Sequence, residues 1–382
     1  MDIFLIIAIG LSVGYFALIL YFFIGWLKLK KLTNVNHTSI NLPFVSVVIP
    51  VRNEAEHITE CIQSVLQQSY PAHLFEVIMV DDYSTDPTIR HAKMIEDDRL
   101  KIINLMNYFG DAGEYIPNKK KAITIGIKNA KGKIIVTTDG DCIVPKEWLT
   151  TLINFYKSHE FKFITSPVFM APPKNFVGLF QQIDVISMMG ITGGTIANHY
   201  PTMCNGANLL FEKSAFEAVE GFKGNIDIPT GDDIFLMQKI EAKYQNAIGF
   251  CKSELATVQT KPEYKFSDFV AQRVRWTSKS TNFQKGGVTL ILTYAYIVNL
   301  MLILLGLLAF NPTPMAWLPV AVLFATKFFI DFVFNAALTH FFKRKILLFL
   351  FPIFEICHVF YVVAIGVLGL TGKYSWKDRR VG

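Results

Sequence analysis

The distribution of apolar residues constrains this chain more than any other feature. Residues Ile3 to Leu27 carry no charge, long enough to cross a hydrocarbon core of about 30 Å as a helix. The run is too long for the apolar part of a cleaved signal peptide, and no basic residue precedes it. It stops at Lys28-Leu-Lys30-Lys31, which predicts an N-terminus outside and a following domain in the cytoplasm. Three more apolar stretches lie near 288–310, 315–342 and 346–370. Roughly 250 mostly polar residues separate the two apolar regions, enough to bury a substantial core as one α/β domain. The expected organisation is therefore a transmembrane helix over 1–30, an α/β domain over 42–285 and a membrane region over 286–382. Three full crossings at the end would leave Lys373, Lys377, Arg379 and Arg380 outside, against the positive-inside rule. Pro352, Glu355 and His358 are also costly in a lipid-facing span. A re-entrant or broken last segment and a cytoplasmic C-terminus are expected.

The net charge of +6 is modest and partly juxtamembrane. It suits lipid headgroups or a nucleotide's phosphates, and no dense basic tract points to nucleic acid. The five cysteines form no Cys-x-x-Cys pair and read as reduced and structural. Isolated histidines offer no metal cluster, and no Walker phosphate loop occurs.

Within the polar block, Phe44 to Pro50 reads as a buried parallel strand, being a nearly continuous β-branched run. Helical spacing follows over Glu54 to Gln68. A second strand, Phe75 to Val80, ends at Asp81-Asp82, and Ser84-Thr-Asp86 with Pro87 offers the start of a helix. A strand near Leu100 to Leu105, a helix over Lys119 to Asn129 and a strand over Lys133 to Thr138 continue the alternation. Such alternation predicts a mostly parallel sheet whose ligands gather beyond the carboxyl ends of its strands. Asp82, Asp139 and Asp141 all fall at such ends. Beyond Trp148 the pattern is irregular, and the apolar run Phe176 to Thr192 fits equally an interfacial helix or a packed one.

Asp139-Gly-Asp141 is short enough to be a surface turn. After the strand-like run Ile134 to Thr138, however, its carboxylates suit Mg2+ or Mn2+, which bind few carboxylates together with substrate phosphates. Asp232-Asp233 precedes an amphipathic run, where acids favour a helix start by about 1 kcal/mol. A general base held there would take a proton from a hydroxyl. Gln272, Arg275 and Trp276 read either as an interfacial anchor or as a diphosphate and acceptor site.

Taken in order, these pieces resemble the membrane-bound family 2 glycosyltransferases with a GT-A, Rossmann-like fold. That group includes cellulose, hyaluronan and poly-N-acetylglucosamine synthases and ceramide-glucosyltransferase-like enzymes. Val47 to Glu54 is similar to the opening strand and donor loop, with Pro50, Arg52 and Glu54. Val80 to Asp86 is similar to the nucleotide-binding turn, with Tyr83 where Gly is usual. Thr138 to Cys142 matches the metal motif, and Asn205 to Asn208 through Gly221-Phe222 resembles the acceptor side. Gly231-Asp-Asp233 stands where Glu-Asp is usual, and Gln272-x-x-Arg275-Trp276 is intact. The resemblance implies that Asp82 contacts the uridine, Asp139 the donor, Asp141 the metal, and that Asp233 is the base beside Asp232. Lys119 matches a family lysine, with Asn118 replacing the preceding Gly. It further implies an inverting transfer from a UDP-sugar to a lipid or lipid-linked acceptor. The alternatives are a processive polysaccharide synthase acting on a glycan and, remotely, a non-catalytic nucleotide-binding subunit. The sugar and the oligomeric state are not specified by any motif.

Overall fold

The computed structural model describes residues 3–34, 41–110, 118–228, 230–278, 286–310, 316–370, 374–376 and 379–381. Most of the polar linker 33–41 and of the basic tail lies outside the described residues. The described chain forms two compact units, one of residues 29–171 and 196–261 and the other of 1–28, 172–195 and 262–382.

The first unit is built on nine strands: β1 (Val45–Val51), β2 (Phe75–Asp81), β3 (Leu100–Asn104), β4 (Ile134–Thr137), β5 (Phe163–Thr165), β6 (Val168–Met170), β7 (Leu209–Glu212), β8 (Ile248–Phe250) and β9 (Val258–Thr260). Seven of them make one sheet in the order β3-β2-β1-β4-β7-β5-β8. β1, β2, β3 and β4 pair in parallel. β1, β2 and β4 are buried along their whole lengths, which is why their sequences are mostly apolar runs without alternation. β7 runs antiparallel to both β4 and β5. This reversal positions the site: Thr137 pairs with Leu209, so the turn that enters β7 stands at the edge where β4 ends. β6 and β9 form a separate parallel pair.

The second unit is helical, with helices Ile3–Lys28, Phe176–Ala197 (as far as 195), Phe266–Thr277, Gly286–Leu308, Leu318–Phe341 and Leu347–Leu370. Five of these, all but Phe266–Thr277, are long and apolar enough to cross a membrane. The Phe176–Ala197 helix is mostly buried in protein, unlike the other four. The break expected in the last segment does not occur. Leu347–Leu370 is one continuous helix with Pro352 inside it. Pro352 lies in the second turn, where its ring removes the bond to the Leu348 carbonyl, and the helix nevertheless continues through it. Glu355 is not lipid-facing either, because it pairs with Lys327. Lys327 Nζ also lies 2.8 Å from Asp331 Oδ2, and Tyr15 donates to the same carboxylate at 2.8 Å.

Candidate active site

The carboxyl edge of the sheet begins with two interlocked loops. Asp82 follows β2, and its amide donates to the Val51 carbonyl at 2.8 Å. Arg52 donates to the carbonyls of Asp82 and Tyr83, each at 2.8 Å. Asn53, Glu54 and Ala55 donate to the side chains of Ser84, Thr88 and Asp86. Tyr83 takes φ 58°, a left-handed conformation that a glycine accepts without cost. Its ring is buried and its hydroxyl donates to Gly110 at 2.7 Å, which offsets the strain. Pro50 sits inside β1 opposite Val80. Asp81 and Asp82 are both buried. Burial raises the Asp81 carboxyl above its ordinary value, against the bonds from Ser84 that lower it.

β4 delivers Asp139-Gly140-Asp141 two residues beyond its end. A Cβ on Gly140 would come within 2.8 Å of Val51 and 3.1 Å of Glu54, so the turn packs directly on the end of β1. Beneath it lie two buried thiols. Cys61 Sγ donates to the Asp139 carbonyl at 3.3 Å and Cys142 Sγ to Asp141 Oδ1 at 3.4 Å. Burial, then the charges of Asp141 and Asp139, push both thiols well above their ordinary values, so they stay neutral and unreactive.

Facing this turn is the first turn of the Lys119–Asn129 helix, whose N-cap Asn118 accepts from the Lys120 amide. Lys119 Nζ stands 2.6 Å from Asp139 Oδ1 and 3.4 Å from Asp232 Oδ2. Burial would lower this lysine, but Asp139 and Asp232 outweigh it and hold the ammonium above its ordinary range. Burial raises Asp139 despite Lys119. Asp232 and Asp233 open the Asp232–Lys243 helix after Gly231, a left-handed N-cap with φ 79°. Asp233 Oδ2 accepts from the Gly206 amide at 3.1 Å.

Gly206 is the hinge of the arrangement. Its carbonyl accepts from Thr137 at 3.0 Å, and a Cβ on it would lie 3.2 Å from both Asp232 Oδ2 and Lys119 Nζ. A methyl group there makes a contact tighter than an ordinary one, so the ion pair has to give by a few tenths of an ångström. We expect Gly206→Ala to lower turnover on the order of tenfold, because reacting groups tolerate little displacement. Unchanged turnover with unchanged folding would show that this packing is not needed.

The donor set suits a hard divalent cation. Asp139 and Asp141 are carboxylates at one turn, and Asp141 Oδ2 accepts from Thr260 in β9 at 3.3 Å. No group of three or more histidine, cysteine or acidic side chains poised to bind a metal occurs among the described residues. An ion here would therefore complete its shell from phosphate and water, as Mg2+ and Mn2+ do.

Gln272, Arg275 and Trp276 belong to the helical unit, on the Phe266–Thr277 helix. Gln272 donates to Glu263 at 3.3 Å. The Trp276 ring stacks under the guanidinium of Arg273, 4.2 Å from its centroid, and Arg273 pairs with Asp184 at 2.9 Å. No sequence motif marks Arg273, Asp184 or Thr260 by itself, while Gly206 and Lys120 lie within marked segments that give neither a separate role. Asp184 did carry a signal, as the one charge in a mostly apolar run of 22 residues.

A mostly parallel sheet with acid pairs at its carboxyl edge, in a chain with five helices apolar enough to cross a membrane, defines the class as a glycosyltransferase of GT-A fold. The sequence profile for glycosyl transferase family 2 matches residues 46–218, and that for glycosyl transferase family group 2 matches 134–364, more than half of the chain. The chain belongs to glycosyltransferase family group 2. It is 39% identical over 110 residues to glycosyltransferase AglE of Haloferax volcanii, 28% of this chain and 34% of that one. It is 31% identical over 116 residues to the poly(ribitol-phosphate) beta-N-acetylglucosaminyltransferase TarS of Staphylococcus aureus, 30% of this chain and 19% of that one. The matches thus span about a third or less of these relatives. In fold, the chain resembles the mannosyltransferase PcManGT of Pyrobaculum calidifontis, solved with GDP-Man and Mn2+. The TM-score is 0.58 at 19% identity, covering 96% of this chain and 99% of that one.

Proposed function

We propose that the protein transfers a sugar from a UDP-sugar to a membrane lipid or lipid-linked acceptor, with inversion and with help from a divalent metal. The observation that carries this is the convergence of Asp139, Asp232 and Lys119 in one ion-paired cluster, with Asp233 held on Gly206 beside it. Asp233 takes the proton of the acceptor hydroxyl as its oxygen attacks the anomeric carbon. The bond to the nucleoside diphosphate breaks and the diphosphate leaves with the electron pair, so a single displacement inverts the centre. Asp139 and Asp141 would hold Mg2+ or Mn2+, whose chemistry there is to neutralise the leaving diphosphate. Lys119 keeps its charge and adds to that neutralisation once donor phosphates arrive. Asp82, with the Pro50-to-Glu54 loop, would hold the nucleotide. Gln272, Arg275 and Trp276 are assigned to acceptor and diphosphate on their motif alone. Five apolar helices favour a membrane setting, with the sheet unit on the cytoplasmic side by the basic stop after the first helix.

A polymer acceptor is the second reading, favoured by the match to a poly(ribitol-phosphate) transferase. The test is full-length protein in nanodiscs with Mn2+ or Mg2+, a panel of UDP-sugars plus GDP-mannose, and release of nucleoside diphosphate with and without lipid extract. One donor and one new glycolipid support the first reading. A size ladder without lipid moves it to the polymer reading, and silence across the panel overturns both. We also expect Asp141→Ala, or chelation of wild type, to abolish turnover; full activity under chelation would remove the metal from the mechanism.

A further inference from the structure

Beside Lys119, which faces the acid cluster, Lys120 is almost wholly buried at 1% exposed. Burying an ammonium is costly unless it is fully partnered, and an apolar side chain of similar size is often at least as stable in such a place. Lys120 Nζ donates to the carbonyls of Asn225 at 2.7 Å and Ile228 at 2.8 Å. It also lies 4.8 Å from the centroid of the Phe235 ring, within the range of a cation–π contact. Asn118 adds a bond to the Ile226 carbonyl at 2.6 Å. These partners bracket Asp232 and Asp233 in the chain: Asn225, Ile226 and Ile228 precede them, and Phe235 follows. Successive helical residues point about 100° apart, so one turn sends Lys119 to the carboxylates and Lys120 to the backbone that delivers them.

We propose that Lys120, with Asn118, is a positioning residue that fixes Asn225, Ile226 and Ile228 against Phe235 and so sets Asp233 against Gly206. This deepens the proposed function and rests on Asp233 acting as the base. Loosening these contacts moves the base by fractions of an ångström, which costs turnover and leaves the nucleotide's own contacts intact.

The test compares wild type, Lys120→Met and Lys120→Arg as full-length protein in nanodiscs. Lys120→Met should lower kcat by about 10- to 100-fold while affinity for UDP stays within about twofold. Lys120→Arg should recover part of the loss, because it keeps a donor at that depth. Hydrogen exchange should rise in Lys120→Met for peptides covering 222–235 and stay level elsewhere. Wild-type kcat in Lys120→Met overturns the proposal, as does unchanged exchange over 222–235. A rise in exchange across the whole sheet unit also overturns it, since that marks a purely structural residue. If wild type transfers no sugar, the functional reading fails by itself, and the exchange measurement still decides whether Lys120 holds this segment.

Discussion

Asp233→Asn is expected to lose 10²- to 10⁴-fold in turnover, the range that a positioned general base contributes. This corresponds to about 3–5 kcal/mol in the barrier. The substitution is chosen for what it keeps. Asn retains an oxygen that can accept from the Gly206 amide, now at 3.1 Å from Asp233 Oδ2, so the first turn of the helix and its approach to Gly206 persist. The capacity to accept a proton is lost, together with one of two accepted bonds, since the other oxygen of Asp233 accepts from the Ile234 amide at 2.8 Å. UDP binding, measured by calorimetry on the same preparation, should therefore be unchanged. Asp232→Asn is the internal comparison: it removes one partner of Lys119, which still has Asp139 at 2.6 Å, and its effect should be the smaller. An Asp233→Asn enzyme turning over at the wild-type rate would sink the assignment, whatever its affinity for nucleotide.

The largest expected effect on stability lies in the helical unit. Lys327 is fully buried and joins Asp331 on its own helix to Glu355 on the Leu347–Leu370 helix. Tyr15 of the first helix donates to Asp331. Three helices thus share one polar cluster where water is excluded. Removing only the cation, as in Lys327→Met, leaves two buried carboxylates without it. Breaking a buried pair in this way costs about 3–5 kcal/mol. Thermal unfolding in detergent should show a large loss. Adding Asp331→Asn and Glu355→Gln to Lys327→Met should restore much of it, because no uncompensated charge then remains. If the single variant melts with wild type, or the triple variant melts no higher than the single, the cluster is not what holds these helices.

The parts of the fold that were legible in the sequence share a physical cause. β1, β2 and β4 are buried on both faces, so burial wrote mostly apolar runs that announce themselves. The helix predicted over Lys119 to Asn129 spans those residues, because Asn118 is a strong N-cap. β5 to β9 have only three or four residues each, too few for any periodicity. The reversal of β7 therefore left no trace in the sequence. The unbroken course of the last apolar segment is hidden for a related reason: Glu355 reads as costly in lipid because Lys327, its partner, stands 28 residues earlier.

The candidate site divides along the same line. Acids at strand ends are visible because backbone direction forces them to one edge of a parallel sheet. By itself the sequence determined the alternating fold, its apolar helices and the acid pairs at the sheet edge, since these depend on local pattern. Tertiary structure alone decided that Lys119 bridges Asp139 to Asp232, that Gly206 packs against Lys119 and Asp232, and that Arg273 pairs with Asp184. Each of those contacts joins residues far apart in the chain, and only the antiparallel turn into β7 and the packing of helices bring them within hydrogen-bond range.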